Sequence, residues 1–215
     1  METKDRFCKD YQRIKRPGAD RLLGWLETTD FFHAPASTRF HLSREGGLCE
    51  HSVHVYNRLR ELYLVEIANY KELTPEQEET VAICGLLHDI CKTGVYGTEI
   101  RNQKTYEAEK VAAAESWQVK HDAKGDFIWE SVPKYIFDDK LPYGHGEKSV
   151  YIISGFMRLT REEAMAIRWH MGFSDVAFQG GDHSVGTAFE MYPLAVLTHI
   201  ADLQATYLDE TVESS

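Results

Sequence analysis

A chain of 215 residues with 43% hydrophobic and 27% charged residues is long enough to bury the core of one ordinary domain and has the composition of a soluble globular protein. Its net charge of −10 excludes broad binding to long nucleic acid, which needs a basic face, but not a small anionic substrate beside metal ions that reverse the local sign. No run approaches the roughly 18 apolar residues of a membrane span. Met1 to Arg16 mixes charges of both signs without a secretory apolar run, so no membrane partner and a cytoplasmic location are expected.

Most of the chain reads as helix. Pro17-Gly18 separates a polar segment from a short amphipathic one through Leu22, Leu23, Trp25 and Leu26. Phe31 to Gly47, with Pro35, Ser37, Thr38 and two glycines, reads as a loop. A helix is predicted from Leu48 to about Tyr70, because Val55, Leu59 and Leu62 recur at the spacing of one buried face. Thr74-Pro75-Glu76-Gln77 supplies a capping box. The helix it opens carries Val81, Cys84, Leu87 and His88, with Gly94 placed to end it.

Between Val95 and Tyr143 the pattern changes. Trp117 to Lys120 and Phe127 to Glu130 flank a turn of Asp122, Gly125 and Asp126, and Tyr135-Ile136-Phe137 continues the alternation, as in a small β-hairpin. Thr160 with Glu163 forms a second capping box, opening a helix that reaches His170. A last helix runs from near Pro193 to about Leu208. The expected fold is all-α, a helical bundle with a small inserted β-hairpin. It forms a single domain over 1–215, with about 1–40 as a helical extension and about 105–140 as the insertion.

Cys8, Cys49, Cys84 and Cys91 form no C-x-x-C pair, so they read as reduced thiols in small core spaces. Cys49 and Cys91 adjoin candidate ligands.

The chemistry concentrates around histidine and aspartate. Cys84 to Lys92 places the pair His88-Asp89 at the end of an apolar helical run. Two ionisable neighbours there are costly to bury unless something satisfies them. A divalent cation would do so; a capped pair facing the surface is the alternative. The stretch Arg44-Glu45-Gly46-Gly47-Leu48-Cys49-Glu50-His51-Ser52 precedes the pair. Tyr143-Gly144-His145-Gly146-Glu147-Lys148, Ile167-Arg168-Trp169-His170 and Thr198-His199-Ile200-Ala201-Asp202 follow it.

This H…HD…H…H…D order resembles the HD-domain metal-dependent phosphohydrolase superfamily, over roughly Phe40 to Asp209. The Gly-Gly-Leu-x-Glu-His-Ser stretch resembles HD-type 3′–5′ exoribonucleases. The five-part order is similar to HD-GYP cyclic-dinucleotide phosphodiesterases and diadenosine tetraphosphate hydrolases. The segment from Asp138 to Ser149 most resembles HD hydrolases of gut bacteria and their phages. The Gly-Tyr-Pro element of HD-GYP proteins is missing, which argues against cyclic di-GMP. So is the nucleic-acid-binding domain that usually precedes the exoribonuclease module, which argues against RNA degradation.

The resemblance implies a first metal site of His51, His88, Asp89 and Asp202. It implies a second through His145 and His170, with Asp89 bridging; in single-metal members such histidines contact the substrate phosphate instead. One or two divalent ions are implied. Nitrogen-rich ligands with two carboxylates suit manganese, iron, cobalt, nickel or zinc, with magnesium also possible. Two cations about 3.5–4 Å apart lower the pKa of a bridging water and clamp phosphoryl oxygens.

Lys92, one turn beyond the pair, is read as a catalytic cation on the phosphate, or else as a solvated helix-end lysine. Arg168 and Lys148 are further substrate-binding candidates. His54 shares a helical face with His51 as a neighbour or supporting residue. His199 competes with Asp202 on spacing alone. His33, His41, His121 and His183 are expected at the surface. Trp129, Tyr135, Phe137 and Tyr143 either stack a nucleobase or pack the hairpin, which could itself act as a lid.

The function expected is hydrolysis of a phosphate ester or anhydride in a nucleotide or short oligonucleotide. A di-iron oxygenase of the HD type and a non-catalytic nucleotide-binding module are the alternatives.

Overall fold

The computed structural model describes residues 2–38 and 41–210. Phe40, where the resemblance begins, lies outside them. Two compact units divide the chain: one is formed by the residues up to Tyr96 together with those from Asp139 onward, the other by Gly97–Asp138.

The first unit is helical. Its N-terminal helices are α1 (Thr3–Tyr11), α2 (Ala19–Glu27), α3 (Gly47–Glu66) and α4 (Pro75–Leu87). After the other unit come α6 (His145–Ser154), α7 (Arg161–Arg168), α8 (Val176–Gln179), α9 (Ser184–Met191) and α10 (Pro193–Gln204). The two capping boxes form as read: Thr74 with Gln77 opens α4, and Thr160 with Glu163 opens α7. α4 is buried along its whole C-terminal half, Val81 to Leu87. It packs against α1, α3 and α7, while α10 crosses α3 and α7. Residues of the first forty join the same core, through Phe7, Tyr11, Leu22, Leu26 and Phe31.

Close crossing of α3 and α4 depends on Gly85. A Cβ at that position would fall 2.5 Å from the Cα of Tyr56, closer than atoms can approach. A buried ionic staple joins α4 to α7. Glu163 accepts from Arg16 at 2.5 and 3.0 Å, from the Thr80 hydroxyl at 2.9 Å and from the Thr160 amide at 2.7 Å.

The second unit corrects the all-α expectation. The protein is mixed α and β, about 53% helical with a three-stranded antiparallel sheet. β1 (Tyr96–Thr105), β2 (Lys120–Asp122) and β3 (Gly125–Phe137) lie in the order β1-β3-β2, with the short helix α5 (Ala108–Ala113) between β1 and β2. In β2–β3, Lys120 pairs with Phe127 and Asp122 with Gly125, leaving Ala123 and Lys124 at the tip. Trp117, expected in the hairpin, precedes β2 and is 74% exposed. The missed strand is β1. Its sequence, Tyr-Gly-Thr-Glu-Ile-Arg-Asn-Gln-Lys-Thr, has no apolar face, because the less exposed side carries Gly97, Glu99, Gln103 and Thr105. Among the described residues, no helix is long and apolar enough to cross a membrane.

Candidate metal centre

Five elements of the helical unit deliver the six residues singled out from the sequence. α3 carries His51, and α4 ends at Leu87 with His88 as its C-cap. At Asp89 the backbone leaves helical geometry (φ −106°, ψ 16°) before a 3₁₀ turn, Ile90–Lys92. The pair therefore sits where the ladder breaks and both side chains can turn inward. His145 opens α6, His170 follows the end of α7, and Asp202 lies on α10. Gly146 lets α6 start against the end of α7, since a Cβ there would fall 2.2 Å from the Arg168 carbonyl oxygen.

Asp89 is the hub. Its Oδ1 lies 2.8 Å from His145 Nε2 and 3.4 Å from His170 Nε2. Its Oδ2 lies 3.6 Å from both His51 Nε2 and His88 Nε2. Asp202 Oδ1 is 3.2 Å from His51 Nε2. His51, His88, Asp89 and His170 are 0–2% exposed.

The ring nitrogens on the far side fix the tautomers. His88 Nδ1 donates to the Gly85 carbonyl at 2.9 Å, and His170 Nδ1 to the Ile167 carbonyl at 2.7 Å. His51 Nδ1 faces both Glu210 oxygens at 3.1 Å. A neutral ring that donates through Nδ1 has only a lone pair at Nε2. Two such nitrogens, of His51 and His88, approach to 3.3 Å. His170 Nε2 is buried without a hydrogen-bond partner, beside a carboxylate oxygen. Lone pairs converging in a buried space repel unless a proton or cation lies among them. These donors fit a divalent metal, and the groups His51–His88–Asp202, His88–Asp89–His170 and Asp89–Cys91–His145 could each hold one.

Protonation balances the cluster otherwise. Burial lowers the His51 pKa, but hydrogen bonds to Asp202 and Glu210 overcome it and raise it to about 9. His145 rises to about 10 because Cys91 and Asp89 outweigh burial. Burial takes His88 down to about 3. Asp89 is held well below the carboxylate range despite burial, chiefly by Lys92 and the histidines.

Lys92 Nζ lies 2.6 Å from Asp89 Oδ2, so the proposed phosphate cation is paired with the hub. The structure does not bring Arg168 or Lys148 to the cluster's cavity. Arg168 binds Glu147 and Asp175 at 3.0 Å each and lies over the Trp169 ring, and Lys148 binds Asp139 at 2.5 Å. Both are buried ion-pair residues whose acidic partners escaped the sequence reading. Tyr143 stacks on Tyr151, with ring centroids 4.9 Å apart.

Sequence reading missed Glu210 and misplaced His41. α10 widens into a π-helix, Ala205–Asp209, and Glu210 follows it. The Glu210 carboxylate meets Nδ1 of His51 and, at 2.9 Å, Nδ1 of His54, so His54 is a neighbour sharing that carboxylate. Burial would raise the Glu210 pKa, but these histidines bring it to about 2. Asp209 anchors the same segment to Arg58 at 2.5 and 2.9 Å. His41, expected at the surface, lines the cavity, with a buried Nε2 that has no hydrogen-bond partner. His199 also lines it, and its Nδ1 donates to the His170 carbonyl at 2.6 Å. Cys91 Sγ stands 3.4 Å from His145 Nδ1, and all four thiols are free.

The cavity beside the cluster measures about 560 Å³. Its lining includes buried His51 and Asp89 and exposed Leu203 and Tyr207. Comparison with protein-family models, curated proteins and solved structures finds no match to this chain.

Proposed function

We propose that this chain is a metal-dependent phosphohydrolase that cleaves a phosphate ester or anhydride in a nucleotide or short oligonucleotide. One observation carries the reading. The two oxygens of Asp89 are divided between two sets of imidazole nitrogens, His145 and His170 on one side, His51 and His88 on the other. A carboxylate that faces two ligand sets suits a pair of cations, as the resemblance to HD-domain enzymes implies.

When bound, divalent cations supply Lewis acidity toward phosphoryl oxygens and lower the pKa of water. The chain's own residues do the positioning. The Gly85 and Ile167 carbonyls and the Glu210 carboxylate hold three rings by their Nδ1 atoms, so each Nε2 points inward. Asp202 and Asp89 supply the negative charge that favours cations over a neutral pocket. Lys92 supplies a cation at the cavity wall beside Asp89.

The test is elemental analysis of the purified protein, followed by phosphatase and phosphodiesterase assays with added Mn²⁺, Co²⁺, Ni²⁺ or Mg²⁺. Stoichiometric metal and cation-dependent phosphate release are expected. Asp89→Ala should lose bound metal and turnover while its circular dichroism stays close to wild type. Full activity in that variant rules out the hub role. Dioxygen consumption by an iron-loaded protein, without phosphate release, would favour the oxygenase alternative.

A further inference from the structure

The cavity that opens onto the cluster also carries information about what enters it. Among its described lining residues, three are carboxylates (Asp89, Asp202 and Glu210) and one is a lysine (Lys92); no arginine is present. Lys92 is already engaged by Asp89, and the neighbouring cations Arg168 and Lys148 are spent on carboxylates elsewhere. With the histidines as neutral ligands, two divalent cations held there would, together with Lys92, exceed the three carboxylates by two positive charges, the charge that one phosphomonoester dianion would neutralise. A di- or triphosphate would bring further negative charge with no free cation to meet it, next to Glu210.

Part of the wall has a different character. Met171, Leu203 and Tyr207 line it, together with His199 and the small hydroxyl side chains of Ser174 and Thr206. Leu203 and Tyr207 stand one turn apart where α10 passes into the π-helix, and they are 44% and 67% exposed. An apolar surface so open to water gains from being covered by an apolar group. A volume of about 560 Å³ is that of a pocket for one small molecule.

Resting on the phosphohydrolase reading, we infer that the substrate is a small phosphomonoester whose single phosphate is joined to an apolar or aromatic group. The phosphate lies at the cluster, and the organic group covers Leu203, Tyr207 and Met171. Such a substrate keeps the phosphohydrolase class of that reading and departs from its anhydride and oligonucleotide substrates. A polyphosphate carries more negative charge than this balance meets, and a diester brings a second organic group for which the described lining offers no second apolar wall. Hydrolysis breaks the phosphorus–oxygen bond of the ester; water supplies the oxygen retained by phosphate, and the departing alcohol takes a proton.

Four substrates test this on manganese-loaded full-length protein: benzyl phosphate, glycerol 3-phosphate, dibenzyl phosphate and inorganic tripolyphosphate. Benzyl alcohol and glycerol are leaving groups of similar acidity, so binding decides between the first two. Benzyl phosphate should exceed each of the others by at least about tenfold in kcat/KM. Tyr207→Ser and Leu203→Ser should each lower the benzyl-to-glycerol ratio about fivefold, through KM. Calorimetry with benzylphosphonate, which is not hydrolysed, should show the same weakening in Kd.

Equal rates on benzyl and glycerol esters, or a preference for tripolyphosphate or dibenzyl phosphate, would overturn the inference and leave the phosphohydrolase reading standing. So would benzylphosphonate affinity that is indifferent to both substitutions. Phosphate release from none of the four by protein that hydrolyses a nucleotide would overturn the inference alone; no release from these or from any nucleotide or oligonucleotide, with metal bound, would remove both.

Discussion

In the helical unit each imidazole that faces Asp89 is held from behind, by a carbonyl, by Glu210 or by Cys91. Between Gly97 and Asp138 only Thr105 and Phe127 are buried, and Trp117, Trp129 and Phe137 are more than half exposed. The sheet is organised around Phe127, with the Tyr106 and Trp129 rings 5.7 and 5.9 Å away and Lys104 over its face. Its ion pairs, such as Lys104–Asp122 and Lys110–Glu130, face solvent, where water and salt screen them. Precise placement of titratable groups needs a close-packed interior behind them. One unit has that interior and the other does not.

The largest effect should come from the staple that holds the ligand-bearing helices together. Glu163→Ala leaves Arg16 without its buried carboxylate partner and loosens α7, which leads to His170, from α4, which leads to His88. A loss of about 3–5 kcal/mol in urea unfolding is expected; less than about 1 kcal/mol would show that the interior does not depend on this pair. The pH dependence has a definite sign. Burial raises the Glu163 pKa, but Arg16 and the Thr160 amide lower it further, leaving it below its ordinary value of 4.5. Its contribution is therefore complete above that value and fades as pH falls through the lower, folded value. The Ala variant should lose that part of the acid sensitivity.

A smaller effect is expected from Glu210→Gln, which keeps the shape but removes the charge behind His51 and His54. Metal affinity, measured by competition with a chelator, should fall about 10–100-fold with the helical spectrum unchanged. Unchanged affinity would reduce Glu210 to a packing residue.

The smallest effect on the centre should come from Phe127→Ala. Hydrogen-exchange protection should disappear across β2 and β3, while amides of α4 keep theirs and the unfolding free energy of the helical unit moves by less than about 1 kcal/mol. Loss of metal affinity in this variant would break the contrast between the two units.

How much of this was legible in the sequence depended on how local the signal was. Capping boxes are four-residue patterns, and both Thr74 and Thr160 form theirs. The histidines and aspartates of the cluster announced themselves through the polar pair His88-Asp89 in an apolar run and through their order. Glu210 had no such context: it is one acid near the chain's end, 159 residues from the histidine it supports. His41 sat in a loop without periodicity. Arg168 and Lys148 were singled out for nearness along the chain, yet an ion pair is settled in space, by Asp175, Glu147 and Asp139. β1 was invisible because its less exposed side carries Gly97, Glu99, Gln103 and Thr105, which leaves no apolar alternation to read.

Gly85 coordinates nothing, yet the bare backbone there brings α3 within reach of α4 and so brings His51 Nε2 to 3.3 Å from His88 Nε2. A single methyl at that crossing would act as a wedge between the two helices that carry these imidazoles. The spacing of donors offered to any ion is thus set partly by an absent side chain, one helical turn behind the donor atoms.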